Sequence, residues 1–400
     1  MKFDVLSYAA MAEVVNIADA SLVPFVSQPV TIEKVGLRMV RLPLHEAFET
    51  SFGSIDSRLI FLVSVEANGL TGWGECVAQE EPRYSYECIG TAYQVTKNFL
   101  APVVIKTPIQ GLSDLARRMS QFKGHNMAKA GIELAYMDLA ARIQNKSLSE
   151  LIGGERKRVP VGVSLGIQPK LSDLLQRVEK YLSLGYQRIK LKIMPGWDLD
   201  VVSEVRRRHP DILLSVDANS AYSLDDLDHL KVLDDFGLLM IEQPLDHDDL
   251  LDHAKLQSSM KTSICLDESI TSIRRARHAL ELGSCRIINI KIGRVGGYSQ
   301  VLQIHDLCYK HHVPVWCGGM LESGIGRAHN IALASLPGFT LPGDISASSR
   351  YFARDLIKPA VEVSQDGTVA VPIGQGLGFE VDVPFIEGCT EAVEYLDRTN

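Results

Sequence analysis

The chain has 400 residues, of which 46% are hydrophobic and 22% charged, a composition typical of globular proteins that bury a core. Its length favours two domains, or one large barrel with additions, over a single ordinary core. Asp and Glu outnumber Lys and Arg by 49 to 41, so the chain gains nothing electrostatically from nucleic acid or an anionic membrane, and we expect it to bind neither.

Residues 1–29 form an N-terminal extension that the sequence assigns to no domain. Asp4, Glu13 and Asp19 interrupt its weakly apolar run, and a signal peptide does not tolerate charges there. No apolar run elsewhere is long enough to cross a bilayer. The seven cysteines are scattered and lack the C-x-x-C spacing of zinc sites. Together these features predict a cytoplasmic protein with reduced thiols.

Residues 30–155 are expected to fold as an α+β capping domain. The segments 30–44 and 57–76 have the composition of strands, and Asn68-Gly69 within the second segment is a hairpin turn signal. Helices are predicted at 86–100, 111–121 and 126–143.

Residues 156–355 alternate between β-branched runs and amphipathic helical segments. The predicted strands are 159–167, 188–193, 212–219, 238–245, 263–269, 286–292, 313–320 and 338–344. Eight strands alternating with seven helices require parallel strands joined by right-handed crossovers. A doubly wound sheet would carry a G-x-G-x-x-G turn after its first strand, and residues 166–169 lack that spacing. The pattern therefore predicts an α/β fold with a modified TIM barrel, (β/α)7β.

Residues 356–400 form a C-terminal segment that again has strand character. A closed barrel offers no sheet edge for a further strand. The segment is therefore expected to return to the capping domain and complete it.

Three acidic residues end consecutive predicted strands of the barrel. Asp217, Glu242 and Asp267 are each about 25 residues apart, the length of one strand–helix unit, so they should lie side by side at the C-terminal mouth, where barrel active sites lie. Carboxylates packed together raise one another's pKa unless a cation compensates. An all-oxygen ligand set favours Mg²⁺ and, second, Mn²⁺. One Asp at a strand end is usually structural, but three in phase favour a metal site.

Lysines follow the same period. Lys190 and Lys192 lie two residues apart on the second predicted strand, so both project to one face. Lys291 lies on the sixth strand, half a turn around an eight-stranded barrel from Lys192. A carboxylate substrate on the ion has an acidified α-proton. Lysines on opposite sides then suit deprotonation followed by reprotonation, or by loss of a β-leaving group.

These motifs resemble a known family. Lys190-x-Lys192, Asp217-Ala-Asn219, Glu242-Gln-Pro, Asp267-Glu268-Ser and Lys291 resemble the enolase superfamily, muconate-lactonising-enzyme subgroup. The segments 316–330 and 342–346 are similar to its o-succinylbenzoate synthase / N-succinylamino acid racemase branch. The resemblance covers roughly residues 30–390. It implies a Mg²⁺-dependent lyase that dehydrates 2-succinyl-6-hydroxy-2,4-cyclohexadiene-1-carboxylate in menaquinone biosynthesis, with N-succinylamino acid racemisation as a second activity.

The resemblance also implies residue roles, position by position. Lys192 and Lys291 correspond to the acid/base residues, and Asp217, Glu242 and Asp267 to the metal ligands. The positions expected to contact or enclose the substrate are Ser164, Lys190, Asn219, Gly319 and Met320. Glu268 and Arg294 correspond to supporting residues, and Arg294 resembles an arginine of racemase-competent members. A mobile lid is expected around 48–53, including Thr50, Ser51 and Phe52, and the protein is expected to be a homo-oligomer.

Several alternatives stay open. The physiological reaction could be N-acylamino acid racemisation, dipeptide epimerisation or muconate cycloisomerisation. Dipeptide epimerases carry Asp-x-Asp on the last strand, where this chain has Gly343-Asp344-Ile345. A serine hydrolase is suggested by the G-x-S-x-G match around Ser164, but Pro169 delays the helix that must follow such an elbow directly. A non-catalytic protein on this fold would be expected to lack a ligand or a lysine, and none is missing.

Overall fold

The computed structural model describes residues 28–50 and 53–398. Residues 1–27, which make up most of the predicted extension, lie outside the described residues, as do Ser51 and Phe52 of the predicted lid. Thr50 ends a strand, and its side chain also lies outside the description. The lid therefore stays a prediction.

The elements follow in chain order. The strands are β1 Lys34–Thr50, β2 Gly53–Ala67, β3 Leu70–Cys76, β4 Arg158–Pro160, β5 Gly162–Leu165, β6 Arg188–Lys192, β7 Leu213–Asp217, β8 Ile241–Glu242, β9 Ile264–Leu266, β10 Ile287–Ile290, β11 Val315–Cys317, β12 Ile357–Lys358, β13 Thr368–Ala370, β14 Glu380–Val381 and β15 Thr390–Asp397. The α-helices are Ile89–Val95, Ala101–Ile105, Leu112–Met119, Asn126–Ile143, Leu148–Ile152, Leu171–Ser183, Leu199–Arg208, Leu227–Lys231, Leu251–Ser259, Ile273–Leu282, Ile292–Val295, Tyr298–Lys310, Gly324–Ala334 and Val383–Gly388. A π-helical turn at Thr96–Leu100 and 3-10 turns at Leu224–Asp226, Val232–Phe236 and Ser348–Arg350 complete them.

The capping domain is built on an antiparallel sheet of order β15-β1-β2-β3. A two-residue turn, Asn68-Gly69, joins β2 to β3 with φ angles of 53° and 72°. Positive φ at both positions gives the turn the twist that the flanking strands need, and Asn and Gly tolerate it best. β15 pairs with β1 from Lys34↔Asp397 onward. The C-terminal tail thus completes the capping sheet, which confirms that prediction.

Glycines let the helix Asn126–Ile143 approach this sheet closely. A Cβ on Gly72 would lie 2.2 Å from the Ala135 carbonyl oxygen, and one on Gly74 would lie 2.3 Å from the Gly131 carbonyl oxygen. Neither backbone oxygen can rotate away as a side chain could. Glycine at these positions is therefore a packing requirement, because interiors are packed as densely as organic crystals.

The other side of the same helix contacts the barrel. Glu133 accepts hydrogen bonds from the Ser299 amide at 2.8 Å and the Ser299 hydroxyl at 2.7 Å. Ser299 lies in the first turn of the helix Tyr298–Lys310, where free amides favour a carboxylate. The helix Asn126–Ile143 therefore ties the capping sheet to the barrel.

The barrel sheet is parallel, and its seven strands follow chain order from β5 to β11. Helical segments connect successive strands, which is the predicted βα alternation. Inside the barrel, Met240, Cys265, Ile287 and Trp316 form an apolar cluster of their own. No described helix has the length and apolarity needed to cross a membrane.

The strand predicted over 338–344 is wrong as a regular strand, although the segment closes the barrel. Phe339 forms a single parallel bridge to Val315 in β11, and Gly343 forms another to Val161, beside β5. The Gly343 carbonyl accepts a hydrogen bond from the Gly162 amide at 2.7 Å. Pro342 has no amide hydrogen to give to a ladder, which helps to explain why only isolated bridges form. The fold is the predicted modified TIM barrel with a capping domain, and the domain boundaries at 29/30, 155/156 and 355/356 stay predictions.

We expect Gly74→Ala to lower the thermal midpoint of unfolding, because the added methyl group meets the backbone of the helix Asn126–Ile143. Overpacking of this kind costs about 1–3 kcal/mol. Gly388→Ala is the matched control, since a Cβ there meets nothing within 4 Å. Differential scanning calorimetry measures both, and equal midpoints for the two variants would contradict the packing argument.

Glu133 should make stability fall as the pH rises. Burial raises its pKa to about 7 from an ordinary 4.5, although its bonds to Ser299 oppose this. Between these values the unfolded chain has lost a proton that the folded protein keeps, so stability falls from pH 4.5 to about 7 and then levels off. Glu133→Gln removes this loss, about 3 kcal/mol at most. The thermal midpoint of Glu133→Gln, measured relative to that of the unaltered protein, should therefore rise from pH 4.5 to 8. Glu387→Gln, at an exposed position, is the control and should show no such trend. A constant difference across that range would refute the assignment.

Candidate active site

Strand register brings predicted functional residues to one level of the barrel mouth. Lys192 is the register partner of Asp217, and Asp217 is the register partner of Glu242. Asp267 directly follows β9, at the same end of the sheet. Since neighbouring strands lie roughly 4.8 Å apart, these side chains are neighbours.

Asp217 and Glu242 are paired with the two lysines of β6, and Lys190 contacts both acids. Lys192 Nζ donates to Asp217 Oδ2 at 2.6 Å, while Lys190 Nζ lies 2.7 Å from Glu242 Oε2 and 3.2 Å from Asp217 Oδ2. Both lysines thus project to the same face, as their spacing predicts. Burial alone would raise the pKa of Asp217, but Lys192 and Lys190 hold it well below its ordinary range. Burial and the charge of Asp217 raise the pKa of Glu242.

Asp267 lies between two other cations. Lys291 Nζ donates to Asp267 Oδ2 at 2.7 Å, and the Arg294 guanidinium pairs with Oδ1. The Tyr84 hydroxyl lies 3.3 Å and 3.4 Å from the two carboxylate oxygens, and the Lys291 ammonium lies 4.6 Å from the centroid of the Tyr84 ring. Burial would lower the pKa of Lys291, but Tyr84 and Glu268 raise it above its ordinary value.

Asn219 links Asp217 to Glu268. Its amide nitrogen Nδ2 donates to Glu268 Oε1 at 2.9 Å, its backbone N–H donates to Asp217 Oδ1 at 3.1 Å, and its side-chain oxygen accepts from Lys192. Glu268 Oε2 is buried and has no hydrogen-bond partner among the described residues. The site therefore retains an unused acceptor beside its carboxylates.

Lys192 and Lys291 approach one cavity from opposite walls. Lys192 ends β6 and Lys291 follows β10, with β7, β8 and β9 between them in the sheet. Both line a cavity of about 610 Å³. The residues predicted to contact or enclose the substrate also line it: Ser164, Lys190, Asn219, Gly319 and Met320. The capping domain contributes Ser57, Arg58, Gln79, Glu80, Glu81, Arg83 and Tyr84.

Comparison with known proteins identifies the family. Residues 173–385 match the enolase C-terminal domain-like family, and residues 32–153 match the mandelate racemase / muconate lactonizing enzyme N-terminal domain. The chain is 52% identical to an o-succinylbenzoate synthase from Geobacillus stearothermophilus, over 92% of this chain and 99% of that protein. The chain belongs to the enolase superfamily.

Two further relatives place it within the superfamily. The chain is 47% identical to an N-succinylamino acid racemase from Thermus thermophilus, over 92% of this chain and 100% of that protein. A solved enolase-superfamily member from Listeria innocua matches with a TM-score of 0.89 and 41% identity, over 92% of this chain and 99% of that one. The protein is thus an enolase-superfamily enzyme whose relatives include both named activities.

Enolase-superfamily enzymes use a divalent metal ion, and the buried acids of this chain fit one. Asp217, Glu242 and Asp267 offer only carboxylate oxygens, the donors that hard cations prefer. The raised pKa of Glu242 reports burial and like-charge repulsion, which a cation relieves. Asp246, His247 and Asp248 form another acidic group among the described residues, but their side chains are exposed.

The hydrolase alternative fails on backbone geometry. Ser164 lies inside β5, and the next helix begins only at Leu171, so the serine is not on a strand-to-helix elbow. Its hydroxyl has no hydrogen-bond partner among the described residues, so none of their histidines activates it.

The sequence patterns assign no role in the site to Tyr84, Asn289, Asp344 or Arg350. Tyr84 belongs to an irregular loop that carries no periodic signal. Asn289 donates to Glu242 Oε1 at 2.7 Å, and its position two residues before Lys291 could have placed it on the same face. Asp344 pairs with Arg188 at 2.6 Å and with Lys190 at 2.8 Å. Since two cations already occupy its carboxylate, Asp344 does not favour the epimerase alternative.

We expect Glu242→Gln to weaken Mn²⁺ binding at least about 100-fold, because a neutral amide replaces the charged carboxylate of a predicted ligand with nearly the same shape. Isothermal titration calorimetry and the electron paramagnetic resonance signal of Mn²⁺ measure this without reference to activity. The control, Asp246→Asn with Asp248→Asn, should bind as the unaltered protein does. Binding that survives in Glu242→Gln and disappears in the control would place the ion at the surface group.

Proposed function

We propose that the protein is a Mg²⁺-dependent o-succinylbenzoate synthase that also racemises N-succinylamino acids. The observation that carries this proposal is the placement of Lys192 and Lys291 on opposite walls of one cavity, with three buried acids on the strands between them. Relatives at 52% and 47% identity bear the two names. The synthase reaction would place the enzyme in menaquinone biosynthesis.

Asp217, Glu242 and Asp267 would hold the ion, with Mn²⁺ as the second choice after Mg²⁺. When bound, the ion supplies positive charge to the substrate carboxylate and so acidifies the hydrogen on the adjacent carbon. Glu268 and Arg294 position the ligands, since Glu268 holds Asn219 and Arg294 pairs with Asp267.

In the dehydration, one lysine amine takes the proton from C1 of 2-succinyl-6-hydroxy-2,4-cyclohexadiene-1-carboxylate, while the ammonium of the other lysine stabilises the negative charge that develops on the substrate. The bond between C6 and its hydroxyl oxygen breaks, and the ammonium formed from the first lysine returns the proton to the departing hydroxyl group. The products are o-succinylbenzoate and water, so atoms and charge balance. A general base held within reach of its proton contributes about 10²- to 10⁴-fold to the rate.

Racemisation uses both lysines on one substrate. One amine takes the α-proton of an N-succinylamino acid, and the ammonium on the opposite wall delivers a proton to the other face of the same carbon. Lys190 and Asn219 would hold the substrate carboxylate, while Ser164, Gly319 and Met320 would enclose the acyl group.

A second candidate is N-acylamino acid racemisation as the physiological role. The relative named N-succinylamino acid racemase favours it, and the same two lysines serve it. A cytoplasmic location and a homo-oligomeric state also stay predictions.

We expect Lys192→Ala and Lys291→Ala each to abolish both synthase activity and α-proton exchange, with losses of at least about 10³-fold. Parallel kinetics with the cyclohexadiene substrate and an N-succinylamino acid in D₂O, before and after chelation of the metal, measure both reactions. Lys255→Ala is the control, since this lysine is exposed and, among the described residues, forms an ion pair with Asp252 alone. Exchange that persists in both active-site variants would refute the two-lysine mechanism.

A further inference from the structure

Arg350 is a cationic side chain of the cavity, and it forms no ion pair with any described residue. It ends the 3-10 turn Ser348–Arg350 and lines the same cavity as Lys192 and Lys291. Its guanidinium donates to the Ser346 hydroxyl at 3.0 Å and to the Ser164 carbonyl. No described carboxylate lies within ion-pair distance of it. Arg350 is half-buried, and a charge that loses water without gaining a counter-charge is costly, so a ligand anion would be stabilised there.

The surroundings of Arg350 hold it in place. Its guanidinium lies 5.1 Å from the Tyr181 ring centroid and 5.0 Å from that of Tyr351. Aromatic faces on a guanidinium restrict its orientation without neutralising its charge. The planar guanidinium of Arg350 is therefore held in position before a ligand binds.

An orphan hydroxyl lies next to this guanidinium. Ser164 is 9% exposed and its Oγ has no hydrogen-bond partner among the described residues, although its carbonyl accepts from Arg350. A buried hydroxyl without a partner costs free energy that a ligand acceptor would recover. The Ser164 hydroxyl and the Arg350 guanidinium thus offer hydrogen-bond donors side by side.

Other arginines at the cavity or beside it have carboxylate partners, and Arg83 in the cavity wall pairs with Glu81. Arg188 pairs with Asp344 at 2.6 Å, and Arg327 pairs with Asp355 at 3.5 Å. Arg58 also lacks an ion-pair partner among the described residues, but its guanidinium is buried and donates to the carbonyl oxygens of Val77 and Ala78. Asp344 lines the same cavity as Arg350, but its carboxylate is held by Arg188 and Lys190.

The position of Arg350 suits the far end of an acyl chain. Ser164 is the register partner of Lys190 on the neighbouring strand, roughly 4.8 Å away. Arg350 contacts Ser164 on β5. In the sheet, β5 and β7 lie on opposite sides of β6, so Arg350 is on the side of Lys190 that faces away from the acids at the ends of β7, β8 and β9. A substrate whose first carboxylate lies at Asp217 can therefore extend past Lys190 towards Arg350.

We propose that Arg350 and Ser164 form the subsite for the distal carboxylate of the succinyl group. This inference rests on the proposed function, because it assigns one end of that substrate. The planar fork of Arg350 binds the carboxylate in two parallel hydrogen bonds, and the Ser164 hydroxyl donates a third. The enzyme thereby selects dicarboxylates over substrates with a neutral acyl group.

The test compares N-succinylphenylalanine with N-acetylphenylalanine, which share the reacting carbon, while the acetyl group lacks the distal carboxylate and one methylene. In Arg350→Met the ratio of kcat/KM for the succinyl substrate to that for the acetyl substrate should fall roughly 30- to 100-fold. Ser164→Ala should lower it about 3- to 10-fold, and Arg350→Lys should lie between the unaltered protein and Arg350→Met. Arg354→Met is the matched control, since Arg354 is exposed and pairs with Asp382. An unchanged ratio in Arg350→Met overturns the subsite, whatever happens to total activity.

A second measurement on the unaltered protein covers the case in which Arg350→Met does not fold. By calorimetry, o-succinylbenzoate should bind at least about 10-fold more tightly than 2-butanoylbenzoate, which lacks the distal carboxylate. Equal affinities overturn the subsite. If binding depends on the distal carboxylate but neither proposed substrate is turned over, the proposed function is refuted and the subsite is supported. If the substrates are turned over but the two benzoates bind with equal affinity, the subsite alone is refuted.

Discussion

The structure depends on the register of parallel strands at the barrel mouth. Because Lys192, Asp217 and Glu242 occupy matching positions on β6, β7 and β8, their charges are forced together in a buried place. A buried charge that loses its partner costs several kcal/mol, so each acid needs its lysine and each lysine needs its acid. The same crowding makes the group receptive to a divalent ion, and it leaves the amines facing a substrate-sized cavity.

The capping domain completes this site by docking two acids onto the starts of barrel helices. Glu133 accepts from Ser299, and Glu75 accepts from Ser323 and from the Gly326 amide. Burial raises the pKa of both glutamates to about 7, despite the hydrogen bonds from these serines. These contacts hold the capping domain where Tyr84 reaches Asp267 and Lys291. The side chains that we propose as catalytic lie on the barrel, but the cavity is lined by residues of both domains.

The sequence predicts the features that recur with the strand–helix period and those that need a positive φ angle. The period of the acids and lysines places them at one end of the barrel, and Asn68-Gly69 marks the hairpin because both residues tolerate positive φ. Strand lengths are less predictable: the run 238–245 contains only the short strand Ile241–Glu242. For residues 338–344, amino-acid composition does not distinguish a regular β-strand from two isolated β-bridges. Tyr84 and Arg350 escape prediction because their partners come from distant segments.

Anomalous diffraction of Mn²⁺ in crystals grown with o-succinylbenzoate tests the two-lysine metal site directly. We expect a peak bounded by Asp217, Glu242 and Asp267, with the ammonium groups of Lys192 and Lys291 on opposite faces of the ring carbon that bears the carboxylate. A peak at another group of acids, or both amines on one face of that carbon, would contradict this arrangement.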